Sequence, residues 1–179
     1  VDLLKKYAPK QGYALALAVD DVLAGLVDDF TQNVGTLAQD NTYDEALRSN
    51  QYLDDADAPN EERAFTISPA AKAGFMKLDQ FTNRDYGKLN DGVNAAVKGA
   101  YIGDWMGIPV YVSTNVEGTN AAGHDNGLFH KEALALVMQM KATTHVQFDI
   151  NYLANKVVVE HLFGSAELRD DHGVWLKGS

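Results

Sequence analysis

Leu15, Val19, Val22, Leu26 and Phe30 recur at three- and four-residue spacing in the first part of the chain, with Asp20, Asp21, Asp28 and Asp29 off that stripe. The period predicts an amphipathic helix over residues 9–34, stopped by Gly35. At 1.5 Å per residue it would run to roughly 35 Å, with one apolar stripe against which something must pack. Next, Thr42-Tyr43-Asp44-Glu45 has the form of a capping box, in which hydroxyl and carboxylate satisfy the orphan amides of a helix start. A second helix is expected from there to about Asp54, broken by Asp57-Ala58-Pro59-Asn60. Arg63–Ile67 reads as a short strand with Phe65 and Ile67 facing one way. Ser68-Pro69 then opens a third helix, serine as N-cap and proline in the first turn, carrying Phe75, Met76 and Leu78.

Residues 82–107 are rich in Gly and Asn and predict irregular backbone, with one strand at Ala100-Tyr101-Ile102. In Gly107-Ile108-Pro109-Val110-Tyr111-Val112-Ser113 the aliphatic positions alternate, so a buried strand closed by a turn is expected, with Pro109 near its start where a missing N–H costs least. Asn115, Gly118, Asn120, Gly123, Asp125, Asn126 and Gly127 mark a polar loop too long for a tight hairpin. Extended segments are expected near residues 133–140 and 145–148. A helix is then expected, its apolar face on Tyr152, Leu153, Val157, Val159 and Leu162 and its end at Gly164. Ala166-Glu167-Leu168-Arg169 and Val174-Trp175-Leu176 read as two short neighbouring strands around a turn at residues 170–173. Strands and helices mixed without regular alternation point to an α+β fold, and there is no internal repeat.

Composition narrows the class. A chain of 179 residues suits one compact domain, or one domain with a long appended element. Its 46% hydrophobic and 22% charged residues are ordinary globular usage, so a folded core is expected. The net charge of -10, with no basic stripe, argues against tight phosphate binding, because counterion release needs clustered Lys and Arg. With no cysteine there are no disulfides, thiolate nucleophiles or Cys-ligated zinc, and stability must come from packing and association. No apolar run reaches the roughly 18 residues of a membrane span, and no export signal is visible at the N-terminus.

Five histidines invite a metal or acid/base reading, and spacing decides against it. His130 and Glu132 are two apart, Glu160 and His161 are adjacent, and no His-Glu-x-x-His occurs. The sharpest catalytic alternative is a small metal-dependent hydrolase using His124, Asp125 and His130. The acidic pairs Asp20/Asp21, Asp28/Asp29, Asp54/Asp55 and Asp170/Asp171 point about 100° apart if helical, so a pair cannot converge on one atom, and solvated or capping roles are expected. Nucleophile-elbow and phosphate-cradle patterns do not occur. No catalytic, cofactor-binding or metal-ligating residue is therefore assigned.

The order of elements carries a resemblance. A helix with Ala16-Leu17-Ala18-Val19-Asp20-Asp21-Val22-Leu23 is followed by Pro59-Asn60-Glu61-Glu62-Arg63, Ile67-Ser68-Pro69, the Gly107-Ile108-Pro109-Val110 strand and Phe129-His130-Lys131-Glu132-Ala133. In this order they resemble the major capsid proteins of tailed bacteriophages, whose HK-ninety-seven-like fold is shared with encapsulins. The resemblance implies a spine helix of a peripheral domain in residues 1–40 and a mixed α/β axial domain in 41–179, with return strands to the peripheral domain. Members place an N-terminal arm and a long extended loop before the spine helix, and neither is recognisable ahead of Val1. The parts that carry a lysine–asparagine crosslink in some relatives are not found.

Function follows from the same resemblance: a structural, non-enzymatic protein that self-assembles into an icosahedral shell around double-stranded DNA. Expected partners are copies of itself in hexamers and pentamers, scaffold, portal or decoration proteins, and packaged DNA bound without sequence specificity, with no membrane and no cofactor. The expected location is the virion, after synthesis in the bacterial host cytoplasm. An encapsulin-type compartment is the alternative on the same fold.

Overall fold

A computed structural model describes residues 3–78 and 101–179. The first helix, α1, spans Leu3–Ala24 and includes Pro9. It therefore begins before residue 9 and stops ten residues short of the predicted end at 34. Beyond Ala24 the chain tightens into turns: Leu26 N donates to Leu23 O at 3.3 Å and Val27 N to Ala24 O at 3.1 Å. Packing explains this early stop. Val27 and Phe30 are buried against Ala133, Phe129 and Trp175, whereas Val22 on the predicted stripe is 45% exposed. The docking point is a glycine, since a Cβ on Gly127 would lie 2.8 Å from Val27 Cγ1. Val34, expected to be helical, lies in strand β1 (Asn33–Gly35) and joins the main core.

Helix α2 (Tyr43–Asp55) starts as its capping box requires. Glu45 N donates to Thr42 Oγ1 at 3.3 Å and Thr42 N donates to Glu45 Oε2 at 2.7 Å. A cap of this kind stabilises by about 1 kcal/mol. Strand β2 (Arg63–Ile67) buries Arg63, Phe65 and Ile67 on one face, as its alternation predicts. Helix α3 (Pro69–Phe75) is capped by Ser68 Oγ, which accepts from Ala71 N at 2.9 Å, with Pro69 in the first turn.

The predicted irregular stretch from residue 82 lies outside the described residues as far as 100. Strand β3 (Tyr101–Trp105) follows and pairs with β4 (Ile108–Val112), Trp105 opposite Ile108. Met106 and Gly107 form a two-residue turn with φ of 52° and 83°. Positive φ at both positions is the backbone of a type I′ hairpin, whose twist matches the flanking strands, and Gly107 supplies the residue that tolerates it.

Part of the predicted polar loop is strand. Strands β5 (Gly118–Thr119) and β6 (Gly123–His130) pair with each other, and β6 continues into the sheet centre. Further on, the predicted helix through residues 152–164 is a strand. Strands β7 (Leu134–Asp149) and β8 (Ala154–Glu167) form a two-stranded antiparallel ribbon, with Val146 opposite Val157 and Val137 opposite Gly164. The consecutive Val157, Val158 and Val159 are β-branched, and from Val157 to Glu167 the half-buried residues alternate strictly with exposed ones. Gly164 thus lies within a strand and terminates no helix. A short 3-10 turn, Asp170–His172, leads into β9 (Gly173–Gly178). The two closing strands are not neighbours: β9 pairs with β1 and β6, and β8 pairs with β7.

The main sheet runs β1-β9-β6-β2-β4-β3, with β5 beside β6. β1 pairs with β9, and β2 with β4, in parallel; the other pairs are antiparallel. Elements from α2, α3 and the sheet share the principal core, centred on Leu53, Phe65, Trp105, Leu128 and Leu176. Burying whole side chains of this size stabilises by about 1.5–3 kcal/mol each.

Candidate assembly surface

The β7–β8 ribbon is rooted at Ala133, which is fully buried and whose carbonyl accepts from Leu168 N at 2.8 Å and Arg169 N at 3.3 Å. Sixteen residues of extended chain reach about 50 Å, far more than the sheet needs. Most of the ribbon is exposed, and its exposed residues include Val137, Met138, Val146 and Phe148. At its turn Ile150, Tyr152 and Leu153 are 77%, 81% and 79% exposed. An apolar turn held in water is costly unless another surface covers it, and contiguous exposed apolar area marks interaction sites. Ribbon charges are sparse, though His145 Nε2 lies 2.9 Å from Glu160 Oε1 across the strands.

Among the described residues a cleft of about 600 Å³ opens between α1, the sheet and the ribbon root. Leu23, Val27, Val116, Phe129, Leu134 and Leu136 make its walls largely apolar, with Asp20, Asp125 and Lys131 as charged members. Burial pushes the Asp125 carboxyl above its ordinary 3.8, against the hydrogen bond it accepts from Trp175 Nε1 at 2.9 Å; the nearby Asp28 raises it further. A carboxyl raised by folding loses stability as pH rises through its range. Asp125→Asn keeps the acceptor for Trp175 and removes the charge. The variant should therefore gain thermal stability over wild type as pH rises through the acidic range above the ordinary carboxylate value, with the difference levelling off once the wild-type carboxyl is ionised. Melting curves across that range check it, and an advantage that shrinks with rising pH would count against this account.

The predicted alternatives sort out spatially. His124 and Asp125 lie at the start of β6, where His124 Nε2 contacts Asn120 Oδ1 at 3.1 Å. His130 lies five residues on, about 16 Å away along an extended strand, so the three do not meet as a hydrolytic metal centre would require. Beside His130 stand Glu132 and His172, a grouping that the sequence reading did not contain. Of the acidic pairs, Asp170 caps the chain by accepting from Thr31 N at 2.7 Å, and Asp54 pairs with Arg63 at 2.7 Å. The Glu167 carboxyl is pushed up by burial, with the Asp170 and Asp29 charges acting the same way.

Arg63 was also missed as a polar hub. It is 2% exposed and donates from Nε to Pro59 O at 3.0 Å, from Nη1 to Asn50 Oδ1 at 2.7 Å and from Nη2 to Ala58 O at 2.6 Å. The only signal available in the sequence was its place in a strand pattern whose alternate members, Phe65 and Ile67, are apolar.

These features define an α+β module: one mixed sheet, a helix-covered core, a helix docked at its end through Gly127, and a projecting two-stranded arm. No family model and no curated protein matches the sequence. Solved structures do. One from Mycobacterium phage Che8 aligns over 98% of this chain and 64% of its own, at TM-score 0.78 and 22% identity. The mature capsid of bacteriophage PhiM1 aligns over 100% of this chain and 66% of its own, at 0.72 and 14%. The holo-SrpI encapsulin complex of Synechococcus elongatus aligns over 82% and 52%, at 0.58 and 19%. The fold is that of HK-ninety-seven-like phage major capsid proteins, which encapsulins share. The chain spans about two thirds of the length of the phage chains it matches. No described helix is long and apolar enough to cross a membrane.

Proposed function

We propose that this chain is the shell-building part of a viral major capsid protein that self-assembles, through hexamers and pentamers, into an icosahedral shell enclosing double-stranded DNA. The observation that carries this reading is the long ribbon with its exposed Ile150, Tyr152 and Leu153, in a fold shared with a phage capsid structure. In this reading α1 is the spine helix of a peripheral domain, the division falls near residue 40, and β7 and β8 return from the axial domain to that helix. Association is the work, and no residue is assigned a catalytic role. Each contact can be weak, because closure of a symmetric shell makes many act together. A net charge of -10 lets packed DNA lie against the shell without adhering, as a genome that must leave requires. Scaffold, portal or decoration proteins would meet the same tiles.

Negative-stain microscopy and light scattering of the expressed full-length protein test this. Uniform particles of shell size are expected. Ile150→Ser, Tyr152→Ser and Leu153→Ser together should leave the subunit folded, since exposed substitutions shift stability by only about 0.5 kcal/mol each, while particle yield falls at least about tenfold. A wild-type monomer that persists at high concentration, or a triple variant that assembles normally, would overturn the reading. Particles filled with a folded enzyme in place of DNA would assign the encapsulin-type alternative.

A further inference from the structure

We propose a divalent-cation site, of the chemistry that suits Zn²⁺, at the root of the ribbon, with His130, His172 and Glu132 as ligands. His130 ends β6, Glu132 lies in the turn before β7, and His172 closes the 3-10 turn that follows β8. A cation there would tie together the strand that enters the ribbon and the segment that leaves it. One ligand atom from each residue falls within 4.8 Å of the others. Zn–N and Zn–O bonds of about 2.0–2.2 Å need donors roughly 3.5 Å apart, so the cluster must contract by about 1 Å. Glu132 is exposed and free to rotate inward; His130 and His172 are 4% and 6% exposed and are held in an edge-to-face pair at 5.6 Å. Two imidazoles and a carboxylate, with a fourth position open, make a donor set typical of zinc.

Two further observations point to a cation. His172 Nδ1 is buried and has no hydrogen-bond partner among the described residues, an orphan that ligation through that nitrogen would satisfy. A cation already lies at the cluster: Arg169 Nη1 is 3.4 Å from His172 Nε2 and 3.6 Å from Glu132 Oε2. The Arg169 side chain is 57% exposed and can swing out to solvent. Loading has a cost on the His130 side, where Nδ1 accepts from Glu132 N at 3.2 Å. Whichever ring nitrogen binds, that bond is lost, because the metal takes one lone pair and the proton resides on the other nitrogen. Neither histidine lines the cleft, and the role of the site is to brace the ribbon root.

The test is calorimetric titration of chelator-treated, full-length protein with Zn²⁺ alone, alongside melting curves. About one Zn²⁺ per chain with Kd below about 10 µM is expected, and the melting temperature should rise with zinc by mass action. His130→Gln and His172→Gln should each weaken binding more than about tenfold, while Arg169→Gln, which removes the competing charge, should tighten it. His145→Gln and His161→Gln should leave it unchanged. If a histidine variant fails to fold, the Arg169→Gln shift still decides. Absence of binding, binding that survives His172→Gln, or binding that Arg169→Gln leaves unchanged or weakens overturns the site.

Discussion

Replacing Phe65 with alanine is expected to lower the stability of the unassembled subunit by about 3–5 kcal/mol, the range for deleting a large buried aromatic side chain. Phe65 is fully buried on β2, the strand flanked by β4 and β6, opposite Val110 on one side and Leu128 on the other. Its ring meets Phe75 at 5.7 Å in a T-shaped contact and Trp105 at 6.0 Å. Such aromatic pairs add about 0.5–1.5 kcal/mol beyond area burial, and truncation forfeits both at once. The surrounding strands cannot collapse onto the gap without breaking their ladders. Urea unfolding followed by tryptophan fluorescence checks it. Phe65→Leu, which refills most of the volume, should cost less than half as much; a loss below about 1.5 kcal/mol for Phe65→Ala would show that the site relaxes freely.

Arg63→Met is expected to cost about 3–5 kcal/mol although methionine nearly preserves the side-chain volume. The loss comes from the partners left behind. Pro59 O, Ala58 O and Asn50 Oδ1 all accept from the guanidinium; the Ala58 bond is buried and the other two are part-buried, and a buried acceptor left unpaired costs about 1–3 kcal/mol. Asp54 is the exception. Its side chain is 51% exposed, so its charge remains hydrated when Arg63 is removed and the pair itself contributes little. Asp54→Asn should therefore cost under about 1 kcal/mol, and measuring both variants by equilibrium unfolding separates the ion pair from the carbonyl clamp. Near-equal losses would show that the ion pair dominates. Arg63 fixes the segment between α2 and β2 to the sheet, so its loss should also loosen α2 against β9 and β1.

The elements announced by short-range signals were legible in advance. Thr42 with Glu45, Ser68 with Pro69, and the alternation of Phe65 with Ile67 each use groups within a few residues of one another, and each element starts where expected, though α3 ends at Phe75 and leaves Met76 and Leu78, expected on it, outside the helix. The order of elements also carried the fold, which the solved structures bear out. The failures have one cause. The stripe through Leu26 and Phe30 continues a helical period past Ala24, yet Val27 packs against Gly127, a residue far along the chain, and the helix ends to let it do so. The second strand of the ribbon was misread because apolar residues lie on both its faces, which blurs a two-residue period into something resembling a helical one.

The chain's local hydrogen-bonding chemistry thus settled α2, β2, α3 and β4, and its composition settled the charge balance and the absence of thiol chemistry. Folding in three dimensions decided the end of α1, the conversion of residues 154–167 into a strand by pairing with β7, and the parallel seat of β9 beside β1. It also decided the burial of Arg63 among carbonyls and the meeting of His130 with His172. Caps and turns act through atoms a few bonds apart, so they are written in adjacent residues. Strand partners and buried polar contacts are selected by the free energy of excluding water across segments distant in the chain, and one-dimensional periodicity does not contain that term.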